Sequence, residues 1–562
     1  MNQPRYFSAL LAFCMFSTGA SGLVNEYVLA TLTTYILGNS IEQFSIVIAS
    51  MMLMMGVSGF VQSAMSDDNL IGKFVTLEAT MAIICAFAPL AIYWTYANLT
   101  DHFLYVHYFF VLFVGFLIGF EIPLVMRIIE QSKVSLKTNL SLVYAMDYVG
   151  AFVGAILWVK FLLKNYPITE ISFIVAGFNL LIAFITVIYL LRTKLIKNIW
   201  SSLILMITAA LLLSIGYWKN QELSHLLEQK FYDDPIVYSH TTKYQHLVIT
   251  ENKQLKDIRL YINGNTQFSS LDEERYHDLL VHPVMSLAKP KTVLILGGGD
   301  GLALREVLKY KELDSITLVD LDPKMIELAT NNQYLSTLNK NAFNDSRLKV
   351  LTAEGIKDMG VRSLQLATDD TVNVTSDSIG HNKFERVASL NVYNLDADIF
   401  LKNIENKKWD AIIIDFPDPS SIEINKLYTK QFYYQVKSRL TDEGFVAVQS
   451  TSPYHAKEVF LAIGLTLESV GFNRLPYRQN VPSFGDWGFH LAWKNSSTKQ
   501  KVKARIKNIN SFEVTTSFIT PDVLVASLAF GKNELESKSN CINRLMSPCL
   551  MNQYLDYSWQ VD

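Results

Sequence analysis

Five aspartates fall at places where side chains could gather around a cation. Asp300 lies in "GGGDG" (297–301), Asp320 and Asp322 in "SITLVDLDP" (315–323), and Asp415 and Asp418 in "DFPDP" (415–419). Asp415 and Asp418 are three residues apart in a proline-containing segment, so one tight loop carries both carboxylates. Grouped carboxylates can hold an ammonium or a sulfonium, and one of them can take a proton from a bound amine. The glycine loop by itself is a weak signal for a dinucleotide or a nucleoside. No Walker lysine follows its glycines, which speaks against a P-loop. Its fourth residue, Asp300, would repel a pyrophosphate but suits a positively charged ligand. An acid at the end of a second strand, here Asp320, can take both hydroxyls of a ribose. Together these residues point to a positively charged, adenosine-containing ligand.

The elements that must position these acids are legible around them. "KTVLILGGGDG" (291–301) reads as a buried strand running into a glycine loop, and "LALREVLKY" as the helix after it. "SITLVDLDP" is a second strand and "PKMIELATNN" its helix; "WDAIIIDFPDP" (409–419) and "FVAVQSTSP" (445–453) are later strands. Strands alternating with helices argue for a doubly wound parallel sheet. Ligands of such sheets bind beyond the carboxyl ends of the strands, where the five acids fall. Ahead of this region, "YQHLVIT" (244–250) and "IRLYING" (258–264) suggest a small antiparallel sheet, followed by a helix over 271–285.

The rest of the chain has another character. Of 562 residues, 49 are Lys or Arg and 52 Asp or Glu, a net charge of −3 that excludes a bulk basic nucleic-acid binder. Four cysteines exclude a disulfide scaffold. The mean hydropathy of +0.20 is high for a soluble protein of this size. Residues 1–219 hold 11 basic and 10 acidic residues, and residues 220–562 hold the remaining 38 and 42, so the first part is about half as charged per residue. Seven nearly uncharged runs, 6–25, 43–66, 79–100, 102–120, 138–159, 171–191 and 198–218, approach the roughly 20 residues that cross a bilayer. The first lacks a clear cleavage site and is read as a span rather than a signal peptide. Basic residues in alternate short loops put the N-terminus inside, and seven spans would then put the second half outside. Glu26, Glu121 and Asp147 lie in or beside the runs, where a costly charge points to function, although a buried pair such as Glu121 with Arg127 is the favoured expectation. Glycines along 147–154 suggest close helix packing.

At this point the residues resemble a family. "YQ" (244–245), "LYINGNTQFSSLDEERYHDLLVHP" (260–283), "GGGDG" and "DFPDP" are similar to the aminopropyltransferases of polyamine synthesis, spermidine synthase among them, over about residues 232–495. "GLVNEYVLATLTTYILGNSIEQFS", "GFEIPLVMR" and "VPSFGDWGF" resemble the membrane-attached bacterial branch. The resemblance implies a multi-pass α-helical membrane domain followed by an α/β Rossmann-like, methyltransferase-type domain with a small N-terminal antiparallel sheet. It implies transfer of an aminopropyl group from decarboxylated S-adenosylmethionine, a co-substrate rather than a bound cofactor, to an amine such as putrescine. Methylthioadenosine would leave. The acceptor amine has a pKa of about 10.4 and must lose a proton before it can attack. By the resemblance, Asp415 is the proton acceptor, and Asp415 and Asp418 bind the attacking amine. Asp300 binds the aminopropyl ammonium, and Tyr276 and His277 line the polyamine channel. Gln245 and Asp320 hold the nucleoside over Gly297 and Gly299, and Gln267 touches either ligand. His282 is taken as structural. The adenine position is Asp396–Ala397 in preference to Glu354–Gly355, which makes about 352–388 a polar inserted loop.

The expected organisation is 1–219 membrane domain, 220–290 linker and small β-domain, 291–500 Rossmann-like domain and 501–562 C-terminal extension. Several departures from the family pattern carry expectations of their own. The usual Gly-Pro after "DP" is replaced by "SSIEINKLY", which puts one wall of the nucleoside pocket in doubt, and Asn263 stands where an Asp is common. Phe484 and Trp487 are candidates for the pocket or the core. Cys541 and Cys549 are expected as free thiols, and no His or Cys cluster has metal-ligand spacing, so no metal is expected. The expected partners are a polyamine and a nucleoside sulfonium, with no nucleic acid, and the chain is compatible with a homo-oligomer. The location is the inner membrane, with the soluble domain facing the cytoplasm, where the co-substrate is found; a re-entrant helix at 26–38 would restore that parity. A methyltransferase and a non-catalytic polyamine-binding or transport protein are the alternatives. Grouped acids beside a small sheet favour the aminopropyltransferase over both.

Overall fold

A computed structural model describes residues 7–37, 40–131, 136–192, 200–345, 348–350, 388–404 and 406–557. The chain divides into two units, Met1–Ile236 and Val237–Asp562.

The first unit is helical. Six of its helical stretches are long and apolar enough to cross a membrane: Glu42–Ser63, Leu70–Asn98, Thr100–Glu130, Leu140–Leu162, Ile168–Tyr189 and Leu203–Phe231. They coincide with six of the seven uncharged runs. The remaining run lies in a single 31-residue helix, Phe7–Leu37. That helix is continuous through 26–37, so a separate re-entrant helix there is not formed. Glycines set the closest approach between helices. A Cβ at Gly150 would lie 1.9 Å from the carbonyl oxygen of Phe16, and one at Gly154 would lie 2.5 Å from that of Ala20. The expected Glu121–Arg127 pair is absent. Arg127 donates to the carbonyls of Gln62 (2.9 Å) and Met65 (2.7 Å) and pairs with Asp67, because the end of the stretch Glu42–Ser63 leaves carbonyls that a guanidinium can satisfy.

The second unit opens with a four-stranded sheet in the order β1 (Ile236–Thr241), β2 (His246–Asn252), β3 (Asp257–Ile262), β4 (Asn265–Ser269). Asn263 and Gly264 join β3 to β4 with φ of 51° and 80°, the left-handed pair that a two-residue hairpin requires. The Asn263 side chain accepts the His246 N–H at 2.9 Å. It is therefore a turn residue and not a substitute for a missing pocket acid. Helix Glu273–Ala288 follows.

The main sheet has eight strands in the order β11-β12-β10-β9-β5-β6-β8-β7. They are β5 (Thr292–Gly297), β6 (Ser315–Asp320), β7 (Leu348–Val350), β8 (Ala388–Asn394), β9 (Trp409–Asp415), β10 (Leu440–Gln449), β11 (Asn473–Val481) and β12 (Gly485–Trp493). β5 to β10 run parallel, while β12 is antiparallel to both β10 and β11. The all-parallel expectation is corrected at this edge. Three residues separate β11 from β12, too few for the crossover that a parallel pair needs, so the two close as a hairpin. The central strands are buried on both faces: Leu294, Ile295, Leu296, Ile412, Ile413 and Ile414 have no exposed surface, which is why their sequences are unbroken apolar runs.

Cys541 and Cys549 form a disulfide, not two free thiols. A short turn brings the start of the last helix, Cys549–Tyr557, back against Cys541. Glu354, Gly355 and nearly all of the inserted loop lie outside the described residues.

Candidate active site

Strand register builds the site. Gly297 at the end of β5 pairs with Asp415 at the end of β9, and Asp320 at the end of β6 pairs with Asn394 at the end of β8. Since β9, β5, β6 and β8 are neighbours, the C-terminal edge of the sheet presents Asp415, the glycine loop, Asp320 and the 394–397 turn in a row. Two strand spacings separate Asp415 from Asp320, about 10 Å, the scale of a nucleoside.

The loop between them has to be glycine. A Cβ at Gly297 would sit 2.1 Å from the carbonyl oxygen of Asp415, and one at Gly299 would sit 2.6 Å from the carboxylate of Asp320. The Gly299 N–H donates to Asp320 Oδ2 at 3.0 Å, and the Asp322 N–H donates to Asp320 Oδ1 at 2.9 Å. Burial still pushes the Asp320 carboxyl up to about 6, against those two N–H groups. Asp322 caps helix Pro323–Asn331 and is hydrogen-bonded by the side chains of Thr242 and Gln245, which brings Gln245 to the Asp320 end of the row.

At the other end, the Tyr276 hydroxyl donates to Asp415 Oδ1 at 2.5 Å. His277, the next residue on its helix, is bonded at Nδ1 by the carbonyl (2.9 Å) and the carboxylate (2.7 Å) of Glu273. Glu273 is gripped in turn by both terminal nitrogens of Arg305, at 2.7 and 2.9 Å. Burial would lower the His277 pKa, but Glu273, with the charges of Asp300 and Asp415, raises it to about 9. Asp415 is pushed up to about 6 by burial, with Asp300 adding to the effect and His277 and Tyr276 opposing it. Asp300 is raised by burial as well, while its Oδ1 accepts the Leu302 N–H at 2.9 Å. Asp418 is raised by burial although three side chains donate to it: Gln449 to Oδ1 (2.9 Å), Thr451 to Oδ2 (2.7 Å), and Tyr554. These acids meet more neutral donors than cations, so a bound cation would offset the effect of burial on them. They also bring a candidate proton acceptor, Asp415, together with its hydrogen-bond donor.

Other predicted residues lie differently. Asp396 caps helix Ala397–Asn403 through the N–H groups of Asp398 and Ile399, and its second oxygen pairs with Lys426. Its carboxylate is thus engaged at the β8 end of the row, with Ala397 buried behind it. Gln267 turns its amide back to the carbonyl of Asn265 at 3.2 Å and makes no described hydrogen bond to the acids. The Phe484 ring meets the Tyr276 ring edge-on at 6.2 Å, and Trp487 packs in the core behind it. Sequence reasoning missed Glu273, Arg305, Gln449, Thr451 and Tyr554. Only Glu273 had a local signal, its four-residue spacing to His277 on one helix face.

Among the described residues, Asp278, His282 and Glu306 also come close enough to share a metal ion. Each is already satisfied. His282 Nε2 bonds Asp278 (3.1 Å) and Glu306 (3.0 Å); Glu306 also pairs with Arg305 and Lys309; Asp278 Oδ2 accepts the N–H groups of Ser517, Phe518 and Ile519. The group reads as a closed ion-pair network rather than a metal centre.

Comparison with known proteins shows which family the chain belongs to. Residues 273–389 and 372–504 match the spermine/spermidine synthase domain. A polyamine aminopropyltransferase of Oceanobacillus iheyensis is 34% identical over 96% of this chain and 95% of its own length. Polyamine aminopropyltransferase 2 of Ralstonia nicotianae is 34% identical over 98% of each chain. A solved spermidine synthase in complex with the transition-state analogue AdoDATO aligns with 53% of this chain and 88% of its own, with a TM-score of 0.42 and 24% identity, too distant to bear on the site.

Proposed function

We propose, for a chain that belongs to the polyamine aminopropyltransferase family, that the acid-lined edge of its eight-stranded sheet passes an aminopropyl group from decarboxylated S-adenosylmethionine to an amine such as putrescine. The products are spermidine and methylthioadenosine. The observation that carries the assignment of roles is the grouping of Asp415 with Tyr276, His277 and Asp300 at the end of β9.

Asp320 and Gln245 hold the nucleoside at the β6 end, with the glycine loop beneath it and the Asp396–Ala397 turn beside the adenine. Asp300 takes the ammonium of the aminopropyl arm, and Asp418 takes the acceptor. The Glu273–Arg305 pair fixes Nδ1 of His277 and so its orientation toward Asp300 and Asp415. The acceptor nitrogen attacks the carbon bonded to sulfur. The carbon–sulfur electron pair passes to sulfur, which becomes a neutral thioether; the nitrogen has a lone pair for this step because Asp415 has first taken a proton from the bound ammonium. With a carboxyl near 6, Asp415 is ionised at neutral pH and ready to accept it. Loss of the sulfonium charge supplies the driving force, so no metal and no covalent intermediate are needed.

The six apolar helical stretches are compatible with a membrane domain. We place it in the inner membrane, with the catalytic unit on the cytoplasmic face where the co-substrate is made. The Cys541–Cys549 disulfide favours the opposite, oxidising face, as does the distribution of basic residues. A C-terminal reporter active only in the cytoplasm or only in the periplasm decides between them.

Purified full-length protein incubated with decarboxylated S-adenosylmethionine and a panel of diamines should release methylthioadenosine in an amine-dependent manner. Release of S-adenosylhomocysteine from S-adenosylmethionine instead would overturn the assignment in favour of methyl transfer.

A further inference from the structure

The C-terminal segment from Cys541 to Tyr557 takes no part in the steps above, yet it reaches the loop that carries Asp418 in two ways, through Tyr428 and directly. Asn543 donates from Nδ2 to the carbonyls of Asn425 (3.3 Å) and Tyr428 (3.2 Å), and its own carbonyl accepts the Lys430 N–H (2.8 Å). Tyr428, so held, donates its hydroxyl to the carbonyls of Phe416 (3.3 Å) and Pro417 (3.0 Å), the two residues between the catalytic acids. Helix Cys549–Tyr557 then brings Tyr554 within hydrogen-bonding reach of the Asp418 carboxylate itself. Leu550 and Tyr554 pack into the same apolar cluster as Phe416, Tyr428 and Phe432, and the Cys541–Cys549 disulfide closes the chain between Asn543 and that helix.

Asp418 would otherwise be held from one side only. Gln449 ends β10 and Thr451 follows it by two residues, so both donors approach from the sheet. These two donors, one on each oxygen, both come from the same strand end. A third donor from a separate helix fixes its plane while leaving lone pairs for an ammonium, since an ionised carboxylate has about four acceptor positions. The nucleoside end is organised independently. Asp320 is held by Gly299 and Asp322, and Gln245 by Asp322.

We propose that Tyr554 is a positioning residue for the acceptor amine, holding Asp418 from the C-terminal helix so that acceptor affinity depends on this segment and donor affinity does not. The proposal rests on the reading of Asp418 as a ligand of the acceptor.

Steady-state kinetics on the full-length protein test it. Tyr554→Phe removes the hydroxyl and keeps the ring in its apolar cluster. It should raise KM for the acceptor amine about tenfold, the loss expected for one hydrogen bond to a charged group. kcat and KM for decarboxylated S-adenosylmethionine should stay within about twofold. In an Asp418→Asn background the same substitution should add nothing further, because the two side chains act as one unit. An unchanged acceptor KM in Tyr554→Phe, with a raised one in Asp418→Asn, overturns the positioning role alone. An unchanged acceptor KM in both overturns the reading of Asp418. Equal losses for both substrates, or additive effects in the double variant, identify a general structural role and also overturn the proposal.

Discussion

His277 and His282 lie five residues apart on one helix and are almost fully enclosed, 3% and 0% exposed, yet they meet acids in opposite ways. Around His282 every acid is answered. Glu306 is pulled well below the ordinary carboxylate range because His282, Arg305 and Lys309 outweigh its burial. Around His277 the acids outnumber the cations. Burial holds Asp300, Asp415 and Asp418 above the ordinary range, although His277 acts as a cation on the first two and Arg305 more weakly on Asp300. The difference teaches how to tell acids that hold a fold from the acids proposed to bind a ligand. Residue type does not separate the two groups, and neither does depth. The balance of fixed charge within hydrogen-bonding reach does.

Four substitutions can break or sharpen that contrast. Asp415→Asn should lower kcat about a thousandfold, the scale of a lost general base, while titration calorimetry still detects nucleoside binding. A variant that keeps its rate would remove Asp415 from the chemistry. Glu306→Gln should do the reverse. It opens a buried charge network, at a cost of about 3–5 kcal/mol and a fall in Tm of about 10 °C, with kcat per folded molecule nearly unchanged. Loss of activity without loss of Tm would show the two clusters to be one functional unit.

Tyr276→Phe probes the boundary between the regions, since it removes a donor from Asp415 without removing a charge. On the proposed roles Asp415 must be ionised to act, so kcat/KM should rise as pH increases through about 6 in the unaltered protein. Without the hydroxyl the neutral carboxyl is relatively favoured, and that acid limb should move upward by about 0.5–1 pH unit, with a loss of about threefold to tenfold well below pH 6 and of about twofold or less at pH 7. A limb that stays put would mean Asp415 does not govern it. Gln267→Ala should have the smallest effect, about twofold or less in either KM, because its amide is spent on its own strand. A larger change would show that Gln267 turns toward a ligand once one is bound.

Much of the catalytic unit was legible in the chain because its signals are local. Unbroken apolar runs such as Val293–Leu296 and Ala411–Ile414 form strands buried on both faces, and Asn263–Gly264 closes a hairpin through backbone freedom alone. The acids at the ends of β6 and β9 follow directly, since a strand that must stop in water stops at polar residues. The antiparallel edge, the disulfide and the partner of Arg127 were not legible, because each depends on which distant segment arrives beside it.

By itself the amino-acid order determined where carboxylates leave the sheet and which of them share a loop, for strand length and turn chemistry are settled within a few residues. Only the tertiary structure decided which carboxylates find a cation and which find neutral donors. Asp418 meets Gln449 and Thr451 across 31 and 33 residues, and Glu273 meets Arg305 across 32. Charge compensation in a buried site is a property of assembled neighbours, and burial turns that distant pairing into the shifted acidity on which the chemistry depends.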